Sequence, residues 1–101
     1  MKALGRDPLS CSYGAEILKA IAHPLRLQII AILQEGEENV GDLARKLGTP
    51  PAIVSQQLRI LRSHQLVAVT RAAGNATYRL AEPNLRKLIH CMEGCLAGRR
   101  R

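Results

Sequence analysis

Hydrophobic positions along the chain first recur with a helical period, switch to alternation, then return to a helical period. Ile17, Leu18 and Ile21 share one helical face, and the Pro24 that follows His23 ends that helix. Residues 1–13 before it read as an N-terminal arm. Pro24 suits the first turn of a second helix, where a missing N–H costs nothing. Its Leu25, Ile29, Ile30, Ile32 and Leu33 are apolar nearly all round, which predicts a helix at the centre of the fold. Gly36 is the expected stop, and Glu35 to Asn39 read as a solvated loop.

Val40, Leu43, Ala44 and Leu47 mark a short third helix halted by Gly48. Thr49 is the expected N-cap of a fourth helix, with Pro50 and Pro51 in its first turn, that runs to about His64. Val54, Leu58 and Leu61 form the inner face of this helix. Ser55, Gln56, Arg59, Arg62 and Ser63 lie opposite, with Gln57 at the margin. After Leu66 the period becomes two: Val67 and Val69 alternate with Ala68 and Thr70, and Tyr78 and Leu80 with Thr77 and Arg79. Ala72-Ala73-Gly74-Asn75 between them supplies a turn, so the segment is a hairpin. Pro83 reopens a helix striped by Leu85, Leu88, Ile89, Met92 and Leu96. The reading is mainly α with a two-stranded β wing, an α+β winged helix-turn-helix of five helices in one domain spanning residues 1–101. Residues 97–101 form a basic tail.

Composition sharpens the functional class. The 101 residues are 47% hydrophobic but hold no Phe or Trp, so Leu, Ile, Val and Ala must build the core. A domain this small gains from an oligomer interface. The net charge of +7 is unevenly spread. Six Lys/Arg balance six acids in residues 1–50, whereas nine bases, eight of them Arg, face two acids in residues 51–101. That asymmetry points to a polyanionic partner. The major groove of duplex DNA admits one helix, and Gln56 is suited to adenine, Arg59 to guanine and Ser55 to bases or phosphates. Arg62, farther from the helix start, is suited to a phosphate, and Gln57 to either role. Arg71, Arg79 and the tip residue Asn75 would make phosphate or minor-groove contacts from the wing.

Enzyme chemistry finds no support. There is no Ser/His/Asp spacing, no Gly-rich phosphate loop, no CxxC and too few acids for a carboxylate pair. No signal peptide or spanning segment is visible, so the expected location is the cytoplasm. Cys11, Cys91 and Cys95 are then reduced thiols. A winged helix used only for protein interaction is the alternative from another class.

The segments Ala20-Ile-Ala-His-Pro-Leu-Arg-Leu-Gln-Ile-Ile, Val40-Gly-Asp-Leu-Ala-Arg-Lys-Leu-Gly and Val54-Ser-Gln-Gln-Leu-Arg-Ile-Leu-Arg followed by Leu66-Val resemble the ArsR/SmtB family of bacterial repressors. The resemblance extends over residues 14–96. It implies a homodimer formed through the first and last helices, binding to a palindromic operator, and release when an inducer binds. It also implies several sensor patterns, most of which this chain lacks. Asn39-Val40-Gly41-Asp42 carries none of the cysteines of arsenic and cadmium sensors. Asn84 and Arg86 replace the ligands of the zinc-type site. Ala31 stands where persulfide sensors place a second-helix cysteine.

Cys11, Cys91 and Cys95 remain. Cys91 and Cys95 lie four apart on the last helix, and Cys11 just before the first. Pairing of those helices across a dimer would bring them together as three thiolates for arsenite or a thiophilic metal ion, with His90 or Glu93 as additional ligands. No other cofactor is required. Thiol oxidation or a reactive-sulfur species at the same cysteines is the second reading, with Arg86, Lys87 and the Arg tail available to activate them. The third is that they are small hydrophobes with no sensing role.

Overall fold

A computed structural model describes residues 3–99. After a single 3-10 turn at Leu4–Arg6 come α1 (Pro8–Ile21), α2 (Pro24–Leu33), β1 (Glu38–Asn39), α3 (Val40–Leu47) and α4 (Pro51–Ser63). The hairpin β2 (Val67–Ala72) and β3 (Asn75–Leu80) follows, and α5 (Asn84–Ala97) closes the chain. The winged helix-turn-helix with five α-helices is as the sequence predicts.

Three boundaries differ from expectation. First, α1 starts at Pro8, so residues 8–13 of the expected arm are helical and Cys11 lies inside the helix. Pro8 occupies the first turn, and the Ser10 hydroxyl donates to Asp7 Oδ2 at 2.6 Å. That bond holds the Asp7 carboxyl below its ordinary range. Second, Glu38 and Asn39 are not loop. They pair antiparallel with Tyr78 and Thr77, giving a three-stranded sheet in the order β1-β3-β2. Third, Thr49 does not cap α4: Pro50 precedes the helix, and the Thr49 hydroxyl donates to the Leu47 carbonyl at 3.2 Å.

Other helix ends follow from local chemistry. Asn39 Oδ1 caps α3 by accepting the Asp42 amide at 2.7 Å. Gly48, at φ 61°, ends α3 as the Thr49 amide reaches back to the Ala44 carbonyl at 3.0 Å. Gln65, at φ 60°, closes α4 in the same manner, its neighbour Leu66 bonding to Leu61. Two arginines close helices from a distance. Arg26 Nε donates to the Ala20 carbonyl of α1 at 2.6 Å, and Arg86 Nη1 donates to the Gln34 carbonyl at the end of α2.

Ile29, Ile30 and Leu33 of α2 are essentially sealed from solvent, as the apolar-all-round pattern requires. Around them pack Leu43 of α3, Val54, Leu58 and Leu61 of α4, Val67 and Tyr78 of the hairpin, and Leu85 and Ile89 of α5. Each large aliphatic side chain so buried contributes about 1.5–3 kcal/mol. α1 is the exception. Only Ala20 and Ile21 at its end are buried, while Leu9 and Tyr13 are each more than 70% exposed and Ile17 and Leu18 are also open.

Candidate nucleic-acid interface

The side chains opposite the buried face of α4 do not stand alone on a convex surface. Ser55, Arg59 and Arg62 line a concavity of about 430 Å³ whose other wall is Arg71 of β2, with Val40, Ala76 and Tyr78 completing it. Strand register explains how the wing contributes. Val69 pairs with Tyr78 and Arg71 with Ala76, so Arg71 shares the face of β2 that looks toward the helices. Beyond the end of the core that face is free to carry a charge. Three arginines on two elements thus line one groove, and all three are exposed. Tyr78 is buried and forms part of its wall, because its register partner Val69 lies between Val67 and Arg71 on the same face of β2.

Other residues singled out from sequence lie elsewhere. Gln56 is exposed on the outer surface of α4. Arg79 is on the opposite face of the hairpin from Arg71, where its Nη1 donates to Thr70 Oγ1 at 2.7 Å. Asn75 sits beside the wing turn, which is formed by Ala73 and Gly74 at φ 51° and 79°. Gln57 departs furthest from its expected role. Its Oε1 accepts from Arg26 Nη1 at 2.9 Å, so the side chain is turned toward the α1–α2 junction. No sequence signal marks this contact, because the partners are 31 residues apart.

The three cysteines are free and exposed. Cys11 Sγ donates to the Leu4 carbonyl at 3.0 Å, and Cys91 and Cys95 project from α5. Among the described residues of one chain, no three His, Cys, Asp or Glu side chains gather closely enough to hold a metal ion. Arg86 is committed to the Gln34 carbonyl, and Arg100 and Arg101 of the basic tail lie outside the described residues. Ala31 lines an apolar groove between α2 and α5 with Leu27, Ile89, Met92 and Leu96. No helix among the described residues is long and apolar enough to cross a membrane.

Residues 23–69 match the bacterial regulatory protein, arsR family, a span that contains the whole helix-turn-helix. A biofilm growth-associated repressor of Agrobacterium fabrum is 41% identical over 78 residues, 77% of this chain and 67% of the relative. This chain belongs to the ArsR family. The family is one of transcription regulators rather than enzymes. The crystal structure of the transcriptional repressor BigR from Xylella fastidiosa superposes with a TM-score of 0.80 at 33% identity, covering 84% of this chain and 87% of that one. The homodimeric winged helix-turn-helix DNA-binding domain Mb0332 from Mycobacterium bovis gives 0.78 at 26% identity, covering 94% and 91%.

Proposed function

We propose that the protein is a homodimeric transcription repressor that binds a palindromic operator in duplex DNA and is released by an inducer acting on its thiols. The observation that carries the DNA reading is the groove in which Arg59 and Arg62 of α4 meet Arg71 of the wing. A duplex seated there places α4 in the major groove. Gln56 and Arg59 then read base edges, and Arg62 and Arg71 hold phosphates on either side. Ser55 adds a hydroxyl to the same groove. Asn75 and Arg79, on the tip and far face of the wing, make peripheral contacts only.

The homodimer is supported by α1. Its Leu9, Tyr13 and Ile17 recur at four-residue spacing and are exposed within one chain, as are Met92 and Leu96 of α5. A second copy covers both stripes. The inducer site is assigned to Cys11, Cys91 and Cys95, which one chain does not bring together and two chains must. Three thiols suit arsenite, As(OH)3, whose three As–O bonds give way to As–S bonds as the thiol protons leave with the hydroxyls as water, or, as thiolates, a thiophilic metal ion. Exposure of all three thiols also favours oxidation or a sulfur species as a second reading.

The test is binding by the reduced protein to duplexes that it enriches from a random-sequence library, followed by addition of arsenite, Zn²⁺, Cd²⁺, peroxide or polysulfide. Selective binding that weakens steeply with salt is expected, and arsenite or Cd²⁺ should release the DNA. Absence of any duplex preference at low salt would sink the repressor reading. Release that persists after Cys91 and Cys95 are both changed to Ser would sink the thiol assignment.

A further inference from the structure

We infer that Arg26 is a positioning residue for DNA reading: it latches the recognition helix α4 to the end of α1 through Gln57. This rests on the DNA reading above and adds a residue that does not itself contact DNA. The starting point is a carbonyl left without its usual donor. In a continuous helix the Ala20 carbonyl would accept from residue 24, but that residue is Pro24 and has no N–H. The His23 amide is taken by the Ile21 carbonyl at 2.7 Å. Arg26 Nε fills the vacancy at 2.6 Å, its positive charge against the negative end of the α1 dipole.

The position is otherwise a poor one for a cation. Arg26 is in the first turn of α2, where that helix's own dipole disfavours positive charge. Any single donor could satisfy the carbonyl. What the planar guanidinium adds is a second arm: Nη1 reaches Gln57 Oε1 at 2.9 Å, and both bonds are partly buried. Gln57 sits between the buried Val54 and Leu58 and one turn before Leu61, on the flank of α4. Apolar packing sets the depth of α4 but tolerates rotation and sliding, because it is non-directional. A directional bond on the flank removes that freedom. Gln56 and Arg59 lie one residue before and two after Gln57, so their placement on base edges follows its own. The same bond makes any displacement of the α1 terminus a displacement of the reading helix.

The test compares Arg26→Met, Gln57→Met and the double variant. The probes are a duplex enriched by the wild-type protein and a scrambled duplex of equal length. Each single variant is expected to lose about tenfold in affinity for the enriched duplex, the scale of one charge-assisted hydrogen bond, with the scrambled duplex bound within twofold of wild type. The double variant should lose no more than either single one. Additive losses, or a loss for Gln57→Met alone, would overturn the latch and return Gln57 to direct DNA contact. Amide hydrogen exchange without DNA supplies a second measurement. Exchange across residues 51–63 should quicken equally in both single variants, and unchanged exchange would also overturn the proposal. Failure of the wild-type protein to enrich any duplex instead removes the repressor reading, while exchange still judges the latch.

Discussion

Removal of the Arg71 guanidinium should change the salt dependence of DNA binding far more than removal of the Arg79 guanidinium, although both arginines are exposed on the same hairpin. Arg71 lines the groove with Arg59 and Arg62, whereas Arg79 points away from it and is tethered to Thr70. With Arg62 and Arg71 each neutralising one phosphate in both protomers, at least four counterions leave the DNA, and the slope of log K against log salt is about −3.6. Raising salt fourfold then weakens binding by roughly 150-fold. Arg71→Ala removes one contact per protomer and should flatten the slope by about 1.8. The same salt step would then cost only about 12-fold. Arg79→Ala should leave the slope within experimental scatter.

Fluorescence anisotropy with a labelled duplex at four or five salt concentrations measures both slopes. Circular dichroism of the variants checks that the wing remains folded. Equal flattening by Arg71→Ala and Arg79→Ala would refute the reasoning, because it would mean that strand register does not decide which wing arginine meets phosphate. An unchanged slope for Arg71→Ala would refute it more directly, by removing the wing from the groove.

Ala73 is strained at φ 51°, a conformation that costs an L-residue other than Gly or Asn roughly 1–2 kcal/mol. Ala73→Asn should raise the thermal midpoint by several degrees in scanning calorimetry, and a lower midpoint would contradict this reading of the turn. Ile17→Glu places a carboxylate in the exposed stripe of α1 and should weaken self-association by at least about 100-fold in sedimentation experiments. Unchanged association would exclude that stripe from the dimer interface.

The parts of the fold that bury a regular pattern are legible in the sequence alone. Ile29, Ile30 and Leu33 of α2 are buried, as its nearly all-round apolar pattern says; Gly48 ends α3 with the left-handed conformation its lack of a Cβ favours. Sequence and structure part where the determining contact is distant or outside the chain. α1 extends back to Pro8, but Leu9 and Tyr13 are exposed, so no intramolecular burial rewards their spacing. β1 consists of Glu38 and Asn39, polar residues made a strand only by pairing with Tyr78 and Thr77. Gln57 reads like any polar residue on a helix margin because its partner Arg26 belongs to another helix. The separation of Arg71 from Arg79, by contrast, is present in the alternation of β2 and β3.

Position, more than total charge, accounts for how the arginines are used. The second half of the chain carries the whole positive excess, yet its arginines do different things. Arg86 closes α2 at the Gln34 carbonyl, and Arg79 is held by Thr70. In the first half, Arg26 holds α1 and Gln57, and Arg45 pairs with Asp42 at 2.6 Å. Arg59, Arg62 and Arg71 instead converge on one groove. A duplex phosphate responds to those three at contact range, while more distant charge is screened over roughly 10 Å of salt solution. Basicity therefore suggests the class of partner, but convergence of two elements on one groove locates where that partner would sit. The Arg26 bonds to Ala20 and Gln57 connect that location to the end of α1, the helix whose apolar stripe is exposed within one chain.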